Sequence, residues 1–148
     1  MGVSLAQDER SQLVHTLTEV GESAPTLCGD WTARDLAAHL VVRERRLDAG
    51  PGIFLPFLSR YTDKVQSGVA GRPFEDLVDD IRTGPPLWSP FRLLDPVINV
   101  GEMFVHHEDL RRAEPDWTQR TLSAGLQDRL WTLAGVVGRL AYSKSPVG

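Results

Sequence analysis

The chain has 148 residues, of which 41% are hydrophobic and 24% charged, with a net charge of −4. This is the composition of one globular domain, residues 1–148, large enough to bury a core of its own. The acidic balance argues against a general nucleic-acid binder, and no apolar run is long enough to span a bilayer. The N-terminus turns charged at once and lacks a signal-peptide core, and the single cysteine, Cys28, fits a reducing cytoplasm.

Ser4 with Gln7 reads as a capping box that opens a first helix, with Leu5, Leu13, Leu17 and Val20 in its apolar stripe and Gly21 as its stop. A polar loop, 22–31, follows. Thr32 with Asp35 predicts a second capped helix, running to Ala49 and stopping at Gly50-Pro51-Gly52. A long connection, 50–94, holds two weaker helical pieces. One lies around Phe57 to Val69. The other starts at Pro73, uses Phe74, Leu77, Val78 and Ile81 as its apolar face, and ends at Gly84-Pro85-Pro86. Asp95-Pro96 is a strong helix start, and that third main helix reaches about Ala113. A last helix is expected from about Thr121 to Tyr142. Leu122, Leu126, Leu130, Leu133, Val137 and Leu140 form its seam, and Gly125, Gly135 and Gly138 suggest close backbone approach.

No segment alternates with period two. Four main helices predict an all-α four-helix bundle with a long connection between the second and third, which are then free to run parallel. The apolar residues Ile53, Phe54 and Phe57 in that connection are candidates for covering a partner, including a second copy in a homodimer.

Polar residues inside helical faces carry the chemistry. Glu102 and His106 stand four apart, one turn along one helix face, where a carboxylate and an imidazole can grip one divalent cation. Asn99, Glu102, His106 and Asp109 all fall within roughly 80° of arc. The other reading of that strip is a solvated face carrying a Glu–His pair. On the second helix, Leu36, Leu40 and Leu47 mark the buried direction. His39 falls about 60° to one side of Leu36, and Arg43 falls within the stripe. A buried arginine needs an anion or a cavity, unless it reaches solvent along its stem and His39 is a hydrogen-bonded core residue.

His107 diverges from His106 by about 100° and is expected to pack or hydrogen-bond rather than chelate. His15 is expected at the surface, Cys28 buried and inert, and Trp31, Trp88, Trp117 and Trp131 as core or loop anchors. Glu108-Asp109 with Arg111-Arg112 reads as a solvated charge run, although Asp109 is placed to accept the second ring proton of His106. Nucleophile-elbow, Walker and dinucleotide motifs are absent.

The segments Leu27-Cys28-Gly29-Asp30-Trp31-Thr32-Ala33-Arg34-Asp35-Leu36-Ala37-Ala38-His39-Leu40 and Glu102-Met103-Phe104-Val105-His106-His107-Glu108-Asp109 resemble the DinB-like superfamily. More narrowly, they resemble the metal-binding domain of mycothiol-dependent maleylpyruvate isomerase and its actinobacterial relatives. The resemblance implies a four-helix bundle whose metal ligands are a His on the second helix and an i,i+4 pair on the third, here His39, Glu102 and His106. It implies a zinc-type site, with nickel or iron as alternatives, that handles a small thiol, mycothiol, and an electrophilic substrate in a transferase or isomerase-like reaction. Arg43, together with Asn99, would hold an anionic substrate or cofactor, and Asp109 would orient His106. The isomerase carries a further C-terminal α/β domain, which these 148 residues are too few to include. The alternatives are a non-catalytic metal-binding bundle with a binding or stress-response role and, more weakly, a metal-dependent hydrolase.

Overall fold

Ser4 opens the first helix as predicted. Its hydroxyl accepts from the Gln7 N–H at 3.2 Å, and α1 (Leu5–Val20) runs until Gly21 turns the chain at φ 79°. The computed structural model describes residues 4–49, 55–89 and 96–143, apart from the side chains of 96–98. α2 (Ala33–Arg45) begins at the predicted capping box, where the Thr32 N–H donates to Asp35 Oδ2 at 2.9 Å.

α2 ends at Arg45, short of the expected Ala49. The Arg46 guanidinium reaches forward to both Asp48 oxygens, at 2.9 and 2.8 Å, a contact made in a turn. Leu47, which the periodicity placed in the buried stripe, is 40% exposed. A 3-10 turn (Pro56–Leu58), α3 (Ser59–Ala70) and α4 (Phe74–Thr83) fill the long connection, followed by α5 (Pro96–Arg111) and α6 (Ala124–Tyr142). Pro73 caps α4 rather than entering it. The expected stop at Gly50-Pro51-Gly52, the apolar Ile53 and Phe54, and the cap Asp95 lie outside the described residues. Among the described residues the structure is all-helical, with one isolated antiparallel bridge, Pro25 to Thr32. None of these helices is long and apolar enough to cross a membrane.

Side-chain pairings give the direction of each helix. Arg34 at the start of α2 donates to the carbonyls of Ala70 and Arg72, while the Ala49 carbonyl beyond its end receives Thr62, so α2 and α3 are antiparallel. Arg45 at the end of α2 reaches Thr83 and Gly84 at the end of α4, so those two helices are parallel. From α2 to α5 the pairs are His39 with His106 and Arg43 with Glu102. One number rises as the other falls, so α2 and α5 are antiparallel. The long connection had left room for a parallel pair. Because it is folded into two helices, the chain direction reverses three times between α2 and α5, and the two end up antiparallel.

The core lies between α1, α2, α4 and α5, where Leu13, Leu17, Leu36, Leu40, Leu77, Ile81, Met103 and Leu110 are fully buried. Each such side chain contributes about 1.5–3 kcal/mol of transfer free energy. α6 departs from expectation. Of its seam only Leu126 is buried, while Val137 and Leu140 are 55% and 72% exposed. A side chain at Gly135 or Gly138 would meet nothing within 4 Å. The close approach falls instead at Gly101 of α5, where any added Cβ would collide with Leu133. Trp88 and Trp131 are likewise exposed, and only Trp31 packs against the core as an anchor.

The run around Glu108 is not a solvated one. Glu108 is buried and accepts from Arg111, Arg112 and Arg120 at 2.9, 2.8 and 2.7 Å. Arg120 also reaches the buried Glu9, which accepts from His107 Nδ1 at 2.9 Å, and His107 Nε2 lies 2.9 Å from Thr16 Oγ1. His107 is therefore the hydrogen-bonded packing residue the sequence predicts, and His15 is at the surface beside Glu19. Burial would raise the carboxyl of Glu108, but hydrogen bonds from Arg112, Arg120 and Arg111 outweigh it and hold the pKa at about 2, against an ordinary 4.5. Because the folded-state value is depressed, this stability is complete above the unfolded pKa and is lost as pH falls toward about 2. Thermal melts between those limits should show Glu108→Gln with a shallower acid dependence than the parent. Identical slopes would contradict the role of Glu108.

Candidate metal centre

The loop between α1 and α2 is tied down before it reaches the site. Thr26 Oγ1 donates to the Trp31 carbonyl at 2.8 Å and accepts from the Cys28 N–H at 3.1 Å. Leu27 N–H donates to the Asp109 carbonyl at 3.0 Å, joining the loop to the end of α5. Gly29 supplies the left-handed turn at φ 63° that residues bearing a Cβ avoid. Cys28 is thereby held beside Asp109 of α5, and Trp31 beside the His39 ring of α2.

His39 enters from α2 and is buried. Its ring lies 5.1 Å from that of Trp31 and 5.2 Å from that of His106. Burial, then the neighbouring His106 ring, push its pKa down to about 4, while Gln66 of α3 lies near it and acts to raise its pKa. At neutral pH His39 is therefore an uncharged imidazole with a lone pair to offer. Glu102 Oε2 stands 3.6 Å from His106 Nε2 and 3.5 Å from Arg43 Nε. The neighbouring His106 lowers its pKa, against burial, with help from Arg43. It is a carboxylate at neutral pH.

Arg43 is 2% exposed, so it does not reach solvent along its stem. Its nearby anion is Glu102, a residue of the protein itself. Asn99, one turn before Glu102, lines a separate cavity of about 270 Å³ with Ser4, Gln7, Arg10 and Gly84, and none of His39, Glu102 or His106 borders it.

Asp109 lies beside His106, as its spacing predicts, with Oδ2 at 3.4 Å from Nδ1. That nitrogen is buried and makes no hydrogen bond. The partner of Asp109 is instead Cys28, whose thiol donates to Oδ2 at 3.1 Å. Burial and the Asp109 carboxylate push the Cys28 pKa up to about 11, so it is a thiol rather than a thiolate at neutral pH, as expected of an unactivated cysteine. Its position in the centre was not expected. Nothing adjoining Cys28 in the chain signals it, because Asp109 is 81 residues away. Among the described residues, Cys28, His106 and Asp109 form the set whose donor atoms all lie within 4.8 Å of one another. Gln66 and Trp31 also escaped the sequence reading as neighbours of His39.

Residues 3–84 match the family model described as the mycothiol maleylpyruvate isomerase N-terminal domain. The chain belongs to that family. It lies within the DinB-like superfamily, in keeping with the all-α bundle. The matched span runs from α1 through α4 and contains Cys28, His39 and Arg43, while Glu102, His106 and Asp109 lie beyond it. Comparisons with curated proteins and with solved structures give no match.

Proposed function

We propose that this single domain binds a divalent cation, zinc by preference, through His39, Glu102 and His106, and that it acts on a small-molecule thiol of the mycothiol type. The observation that carries this reading is the neighbourhood of a neutral His39, an ionised Glu102 and His106 on two antiparallel helices, with the two rings 5.2 Å apart and Glu102 Oε2 3.6 Å from His106 Nε2, a looser grouping than that of Cys28, His106 and Asp109. Those are the protonation states and donor types that a zinc-type centre takes. A cation bound there would supply a low-pKa thiolate from the incoming thiol.

The protein's own residues prepare the site. Trp31 packs beside the His39 ring. Arg43 balances the charge of Glu102 and orients its carboxylate. Family membership supports a thiol as the small-molecule partner. Transfer of that thiol to an electrophile, or an isomerase-like reaction through it, is the activity we assign.

One observation favours the second reading, a bundle that binds a metal and a thiol without turnover. Arg43 is buried beside Glu102, whose carboxylate takes the place an anionic substrate would need. Metal analysis of the purified protein tests the site itself. His39→Ala and Glu102→Ala should each lower zinc affinity at least tenfold, and unchanged metal content in both would remove the assignment. If the site holds, a panel of electrophiles offered with thiol separates turnover from binding alone.

A further inference from the structure

His106 has two ring nitrogens, and the site described above uses only one of its edges. Nε2 faces Glu102. Nδ1 points the other way, buried and without a hydrogen bond, toward Asp109 and Cys28. Sγ of Cys28 stands 3.1 Å from Asp109 Oδ2, and His106 Nδ1 stands 3.4 Å from that same oxygen. All three donors lie within 4.8 Å of one another. A tetrahedral ion with bonds of 2.0–2.3 Å keeps its donors roughly 3.2–3.8 Å apart. The cluster thus already has nearly the spacing such an ion requires, and small side-chain rotations complete it.

We infer that the protein has a second cation position, on the Nδ1 edge of His106, in which Cys28, Asp109 and His106 take a thiophilic divalent cation such as cadmium. Thiolate ligands select softer ions, whereas an imidazole and carboxylate set also accepts nickel and iron. The two positions therefore differ in preference. They also compete, because a neutral imidazole offers a lone pair on only one nitrogen at a time. The domain holds one ion in one of two places, and the softness of the ion decides which. On binding, the Cys28 S–H bond breaks, its electron pair forms the bond to the cation, and the proton leaves to the buffer. Nothing is oxidised or reduced. This position shares only His106 with the His39–Glu102 pair and stands whether or not that pair binds metal.

Titration of the metal-free full chain with cadmium tests the inference. A near-ultraviolet charge-transfer band from thiolate to cadmium should grow and saturate at one equivalent. Cys28→Ser should lose the band, His39→Ala should keep it, and Asp109→Asn should weaken binding at least tenfold. Circular dichroism of each variant confirms that it is folded, and a folded Glu102→Gln should also keep the band. No band in the parent protein would overturn the inference. So would equal loss in folded His39→Ala, or an Asp109→Asn affinity equal to the parent's, since a bare thiol would then account for the signal. Failure of zinc binding in His39→Ala with a retained cadmium band would bear on the first site alone.

Discussion

Glu44→Ala is expected to destabilise the fold by about 3–5 kcal/mol, the loss typical of removing one member of a buried ion pair. Arg10 of α1 and Glu44 of α2 are both buried, and Glu44 is 1% exposed. Arg10 Nη1 donates to Glu44 Oε2 at 2.9 Å and to the Ile81 carbonyl at 2.8 Å, while Nη2 donates to the other Glu44 oxygen. Without Glu44, the guanidinium keeps the Ile81 carbonyl as its one hydrogen-bond partner among the described residues. Replacing both partners with apolar residues of similar size, Arg10→Met with Glu44→Leu, should recover most of the loss, because it removes the two desolvated charges together. Urea unfolding of the two single variants and the double variant measures the coupling. If the double variant is as unstable as the sum of the singles, the pair is not acting as a unit.

The same pair marks where sequence reading stops. The caps at Ser4 and at Thr32 with Asp35 were legible because each is completed within three residues. The Glu102–His106 spacing and the hydrogen-bonding role of His107 were legible because helical geometry fixes which side chains share a face. Burial of Glu108 was not, since the arginine that joins it to α1, Arg120, sits 12 residues on in a loop that periodicity cannot place. Cys28 was read as inert, and its thiol is indeed unactivated, but its meeting with Asp109 depends on a backbone bond from Leu27 that closes at tertiary level. The seam of α6 has coiled-coil spacing, yet spacing states only that a face is apolar and not that anything covers it. Helix direction was open for a similar reason. A connection's length limits how far it can cross, while the number of helices within it sets which way the chain returns.

Among substitutions at the centre, His106→Ala is expected to have the largest effect on metal binding. Zinc at about a hundred times its dissociation constant should stabilise the parent protein by about 2.7 kcal/mol through binding the folded state alone. That gain should vanish in His106→Ala. The ring contributes Nε2 to the edge shared with Glu102 and Nδ1 to the edge shared with Asp109 and Cys28, so its loss removes both positions at once. His39→Ala and Cys28→Ser each remove a donor from only one edge. Each should therefore retain part of the gain, with zinc favouring Cys28→Ser and cadmium favouring His39→Ala. Thermal melts of these variants with each ion and with a chelator measure the pattern. A His106→Ala protein that still gains stability from zinc would place the cation elsewhere. Equal responses of His39→Ala and Cys28→Ser to both ions would mean that the two edges of the ring do not discriminate between them, since a single undivided site has no means of ranking the two ions in opposite orders.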